Sequence, residues 1–194
     1  MDYAFIYQNG YDSQRYLSRQ NNTYTQHAYL VNKFLTYNTL VVDSTLLKLE
    51  AIYANVIDDK NISDYVHIAL GVEHTLEQLE NGAKLGLIAE YYYYDTLENN
   101  RLNTTALAKS FQNDLFLGLR YNLNNELNTS AVGGVILDTQ YNEQSYFIEF
   151  ESRINDLFKL NLDARYIEPS SSHETVYSKQ GRHKKVGLTL TYHF

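Results

Sequence analysis

Cysteine is absent from this chain of 194 residues, which removes disulfide frameworks, thiolate nucleophiles and cysteine-ligated zinc. Tryptophan is absent too, and proline occurs once, at Pro169. Because proline cannot donate to a sheet ladder, its scarcity leaves long stretches of backbone free to pair as strands. No run approaches the roughly 18 to 20 uninterrupted apolar residues of a transmembrane helix, so a helical membrane protein is excluded. Lysine and arginine form no run or stripe that tracks phosphates, and the net charge is -7, so nucleic acid is not an expected partner. Met1 is followed directly by Asp2-Tyr3-Ala4-Phe5-Ile6-Tyr7, with no basic segment, apolar stretch or small-residue cleavage site of an export signal.

What the chain has in quantity is tyrosine, 19 residues, with eight phenylalanines, and aromatics favour pleated surfaces. Mean hydropathy is low, -0.43. That is no objection to a membrane home, because a transmembrane strand needs only about 9 to 11 residues and half of them face a lumen. Alternating segments recur from end to end, and strands are expected near 2–8, 32–41, 45–56, 66–76, 83–95, 113–124, 127–138, 145–154, 157–168 and 183–194. Val42-Asp43-Ser44, Asn125-Glu126 and Asn155-Asp156 read as tight turns. The intervening gaps, 9–31, 57–65, 96–112 and 169–182, are longer and polar. Short turns on one rim and long loops on the other, joining an even number of strands, predict an all-β fold, an antiparallel up-and-down transmembrane β-barrel of about ten strands in a single domain over residues 1–194.

The two phases of the strands carry different chemistry. One holds Leu47, Leu49, Ala51 and Tyr53; Leu85, Leu87, Ala89, Tyr91 and Tyr93; Leu115, Leu117, Leu119 and Tyr121; Tyr146, Ile148 and Phe150; and Leu160, Leu162, Ala164 and Tyr166. With Phe194 set at the periplasmic rim, Tyr53, Tyr91, Tyr93, Tyr146 and Tyr166 fall at outer strand ends. Tyr121, Tyr192 and Phe194 fall at inner ends, and the set forms two aromatic girdles. The other phase collects Lys48, Glu50, Glu90, Arg120, Glu149, Glu151, Arg153, Lys159, Asp163 and Arg165, with Glu73 and Asp138. These are expected to line the lumen, since a lysine or arginine at mid-depth in lipid costs about 2 to 4 kcal/mol. A soluble ligand-binding barrel shows the same alternation with inside and outside exchanged.

The segment Val186 to Phe194 alternates strictly, placing Val186, Leu188, Leu190, Tyr192 and Phe194 on one face, and ends on the aromatic. It resembles the closing strand of Gram-negative outer-membrane β-barrels. That resemblance implies that Leu188, Leu190, Tyr192 and Phe194 form the signal read by the barrel-insertion machinery, and that the chain resides in the outer membrane against its lipid. Gly86-Leu87-Ile88-Ala89-Glu90-Tyr91, followed after a loop by Asn113-Asp114-Leu115-Phe116-Leu117-Gly118-Leu119-Arg120, resembles the C-terminal half of uncharacterised, porin-like outer-membrane proteins of proteobacteria. Leu46-Leu47-Lys48-Leu49-Glu50-Ala51 and the Leu160 to Arg165 strand are similar to the same proteins, over residues 30–194. Those proteins are longer and begin with a signal peptide and further strands, so this chain is expected to be the C-terminal part of a larger barrel, and no site residues carry over.

Candidates for chemistry are few. In a closed barrel of ten strands the inward charges pair and fill the interior; in a wider barrel they line water and bias ion passage. Either gives a porin-like channel or a structural protein that catalyses nothing and needs no cofactor or metal. The alternative is a rim hydrolase in the manner of the omptins, with His67 as base beside Asp58, Asp59 and Asp64, and with His183 opening the last strand. No two histidines stand at i,i+2 on one strand face, so no metal site is expected. Ser170-Ser171-Ser172-His173 reads as a polar loop rather than a nucleophile and base. Alternation splits Tyr91-Tyr92-Tyr93-Tyr94, sending Tyr92 and Tyr94 inward, and Gly133-Gly134 lacks the lysine and hydroxyl residue of a phosphate loop.

Overall fold

The computed structural model of the chain describes residues 1–77, 79, 82–97, 112–172 and 175–194. In order the elements are β1 (Asp2–Tyr11), β2 (Tyr16–Gln20), β3 (Thr23–His27), β4 (Leu30–Val42), β5 (Thr45–Val56), β6 (Tyr65–Leu76), β7 (Lys84–Thr96), β8 (Asn113–Asn122), β9 (Ser130–Asp138), β10 (Gln144–Arg153), β11 (Phe158–Glu168), α1 (Val176–Gln180) and β12 (His183–Tyr192). Ten strands form one antiparallel sheet in the order β1-β4-β5-β6-β7-β8-β9-β10-β11-β12, and β2 and β3 form a separate hairpin. Each strand of the large sheet pairs with its neighbours in chain order once that hairpin is set aside. This is the expected all-β, up-and-down architecture. The sheet is open: β1 and β12 are its two edges.

Where the structure departs from the sequence expectation, side-chain and turn chemistry explains it. The gap expected over 9–31 contains the end of β1, which runs on to Tyr11, the hairpin, and the start of β4 at Leu30. Asn21 and Asn22 both take positive φ, 47° and 63°, and join Gln20 to Thr23 in a two-residue turn whose twist matches the flanking strands. The Asn125-Glu126 turn widens into a loop over 123–129, because the Asn125 side chain accepts from the Thr129 amide (2.9 Å) and the Asn128 amide donates to the Asn125 carbonyl (3.0 Å). Within 169–182 a capping box forms α1: Thr175 Oγ1 accepts from the Ser178 amide at 3.0 Å and Ser178 Oγ from the Thr175 amide at 2.7 Å. Most of the 96–112 gap, from 98 to 111, lies outside the described residues, as does His173.

Register assigns every strand residue to a face. Lys48 lies opposite Gly71, Gly71 opposite Glu90 and Glu90 opposite Phe116, so the charged phase of each strand continues into the next. On the other face Leu188 (69% exposed), Leu117 (42%) and Leu162 (38%) are uncovered. The apolar packing of the molecule lies elsewhere. At the rim that bears the long loops, on the ion-bearing face, Val31 is fully buried among Tyr16, Tyr29 and Ile62, and Ala54 among Tyr65 and Tyr94. The connection from Asp12 to Tyr29 and the loop after β5 therefore fold back across this end of the sheet.

Candidate functional site

The ion-bearing face is built by ordinary strand alternation, and it brings together the charged residues expected to line a lumen. Lys48 pairs with Glu90 at 3.7 Å, Arg120 with Glu73 at 2.8 Å, Lys159 with Glu151 at 2.8 Å and Lys185 with Asp163 at 3.2 Å. Tyr92 donates its hydroxyl to Glu90. Glu50 stands opposite Tyr37 and Ala69, Glu149 opposite Asp163, Arg165 opposite Phe147 and Lys185, and Arg153 opposite Lys159. The glycines of this face make room for larger neighbours. The Phe116 ring lies over Gly118 and Gly134, and a Cβ on Gly134 would also come within 2.8 Å of the Leu117 carbonyl oxygen. Phe116 then stacks on Phe147, centroids 5.9 Å apart.

The folded-back loop is anchored by Asp12, a residue that strand-based reading does not single out. Its carboxylate is buried and accepts from the Gln14 amide (2.9 Å), the Tyr65 hydroxyl (2.7 Å) and the Lys33 ammonium (3.1 Å). Its amide donates to the Tyr29 carbonyl at 2.9 Å, and Arg15 donates to its carbonyl. Burial alone would raise the Asp12 carboxyl, but these three donors outweigh it and hold the group below the usual carboxylate range. Burial, with the Asp12 charge added, pushes the Tyr29 phenol up. No local signal marks Asp12, because Tyr65 lies 53 positions away in the chain.

His67 faces the same side as the charges, edge-on to Tyr94 at 6.3 Å. The acids considered as its partners hold turns. Asp64 accepts from the Asn55 side chain (2.9 Å) and the Val56 amide (2.7 Å), Asp58 from the Leu30 amide (2.7 Å), and Asp59 from the Tyr16 hydroxyl (2.6 Å) and the Asn61 amide (2.9 Å). Burial works against ionisation of Asp59, yet those bonds keep its carboxyl low. His183 sits on the edge strand β12, with five strands between it and β6. Among the described residues no group of three His, Cys, Asp or Glu is arranged to hold a metal ion.

The opposite face carries the expected aromatic residues. Tyr53 lies beside Phe34 (6.4 Å), Phe34 beside Tyr7 (5.1 Å), and Tyr146 stacks on Tyr166 (6.1 Å). The hydroxyls at this end are tied to polar groups at the long-loop ends of the strands: Tyr7 to Asn32 (2.8 Å), Tyr93 to Asp95 (3.1 Å), Tyr91 to Asn113, Tyr146 to Gln144 and Tyr166 to Glu168. At the other end Phe158 packs on Tyr192 (5.2 Å) and Tyr192 on Phe194 (6.4 Å); Tyr121 stands on β8 at its short-turn end. Phe194 lies beyond the last paired residue, Tyr192. Leu188 and Leu190 project from the edge strand, exposed. Between the two tyrosine-bearing ends no Asp, Glu, Lys or Arg falls on this face of the described strands.

Comparison with protein-family models, with curated proteins and with solved structures found no match.

Proposed function

We propose that the chain forms the wall of an outer-membrane β-barrel whose role is porin-like passive permeation or a structural one, without catalysis. The observation that supports this reading most is the separation of chemistry by face. One side gathers lysine, arginine, aspartate and glutamate into cross-strand pairs; the other is apolar, free of Asp, Glu, Lys and Arg across its middle among the described residues, and bordered by aromatic residues at both ends. Tyrosine suits those borders because its ring is apolar and its hydroxyl is satisfied at the edge, which is where the Asn32, Asp95 and Glu168 partners stand. Lipid offers no hydrogen bonds to unpaired backbone, so the edges of β1 and β12 require strand partners in a bilayer. The two edge strands run in opposite senses, β1 toward the long-loop rim and β12 away from it, so they can pair with each other or admit further strands between them.

Planar-bilayer recording with the purified protein tests the permeation reading. Discrete conductance steps are the expected result. A protein that stays in solution without detergent and leaves the bilayer silent would contradict it.

A further inference from the structure

Between β8 and β12 the ion-bearing face has a recess of about 510 Å³. Besides Arg120 and Glu151, which pair with Glu73 and Lys159, its charges are ordered in two rows. Arg165 and Lys185 stand directly opposite each other across β11 and β12, and Glu149 and Asp163 directly opposite each other across β10 and β11. Two residues of strand separate the rows, roughly 7 Å. Like charges placed opposite one another are unfavourable unless something compensates them. Lys185 and Asp163 compensate each other at 3.2 Å. That leaves one cation and one anion, Arg165 and Glu149, both exposed in the recess, and among the described residues neither makes an ion pair, unlike Lys48, Arg120 and Lys159 on the same face. Beside them Phe147, stacked on Phe116, and Val132 give the recess an apolar wall.

We infer that this recess binds a small zwitterion, its carboxylate on Arg165, its ammonium on Glu149 and its apolar body against Phe147. The guanidinium presents paired donors that match a carboxylate, and the Glu149 carboxylate only accepts, as an ammonium requires. A simple ion would neutralise one of the two residues and leave the other. A zwitterion satisfies both at the spacing the two rows set. The assignment deepens the permeation reading, on which it rests for its consequence: a solute preference for amino-acid-like molecules.

Binding can be read without any membrane passage, so its failure is separable from failure of the pore. The full chain in detergent micelles is titrated with L-leucine by calorimetry, and with N-acetyl-leucine and leucine methyl ester, each of which lacks one charge. Saturable leucine binding is expected, with each derivative weaker by about tenfold or more, the worth of one charge-assisted hydrogen bond. Arg165→Ala and Glu149→Gln weaken leucine to the same order, Arg165→Lys restores part of the loss, and Thr45→Ala, on the opposite face of β5, changes nothing. Absence of saturable binding, binding of either derivative as tight as that of leucine, or indifference to both charge variants would overturn the assignment.

Discussion

Asp12 fastens the loop from Asp12 to Tyr29 to the sheet, and its removal has a definite direction. In Asp12→Ala the Lys33 ammonium and Tyr65 hydroxyl, both turned toward that carboxylate, lose their acceptor. Stripping one partner from a buried ion pair costs about 3 to 5 kcal/mol. Limited proteolysis is therefore expected to cut the variant between residues 12 and 29 while the wild type resists. Acid should act the same way. The Asp12 carboxyl is held below its ordinary value of 3.8, so its contribution is complete above that pH and is lost as pH falls through the lowered value. Proteolytic resistance of the loop should accordingly be flat from neutral pH down to about 4 and fall only below it; a fall already at pH 6 would implicate a different group. None of this could be seen in the sequence, where Asp12 is one loop acid among several and its partners on β4 and β6 are brought to it only by folding. Lys48, Glu90 and Arg120, by contrast, announce their face through alternation alone.

At the scale of the element, period-two patterning carries most of the information. The strand expected at 45–56 is β5 to the residue, and the others follow closely, because a one-residue slip would exchange the leucines with the charges. The hairpin β2–β3 escaped because Tyr16–Gln20 and Thr23–His27 alternate weakly, although Asn21-Asn22 is a two-residue turn signal. The capping box Thr175 to Ser178 is likewise present in the sequence, but it starts a helix of five residues that no periodicity can reveal. Neighbouring substitutions on β12 test the face assignment. Leu188→Lys places a charge on the apolar face and Thr189→Lys on the ionic one. Folding into vesicles, followed by denaturant titration, should show Leu188→Lys less stable by about 2 to 4 kcal/mol and Thr189→Lys nearly neutral. Equal penalties would remove the basis for assigning the faces.

For the molecule as a whole, the arrangement is unusual for a sheet surrounded by water. Apolar burial is concentrated where the loop from Asp12 to Tyr29 folds across one end, while leucines along the opposite face stay uncovered. An exposed apolar surface of this extent marks an interaction with a partner or a membrane. The aromatic borders, and the lack of Asp, Glu, Lys or Arg between them among the described residues, fit the proposed lipid contact, for which the open edges of β1 and β12 would need strand partners. The absence of native cysteine makes the decisive measurement clean, since each single-cysteine variant carries one label. Leu188→Cys, Leu117→Cys, Leu162→Cys, Glu90→Cys and Arg120→Cys, spin-labelled in reconstituted vesicles, are compared for collision with lipid-soluble oxygen and with a water-soluble nickel chelate. The three leucine positions should meet oxygen and the two charged positions the chelate; the reverse pattern, or chelate access at all five, would contradict a lipid-facing apolar surface.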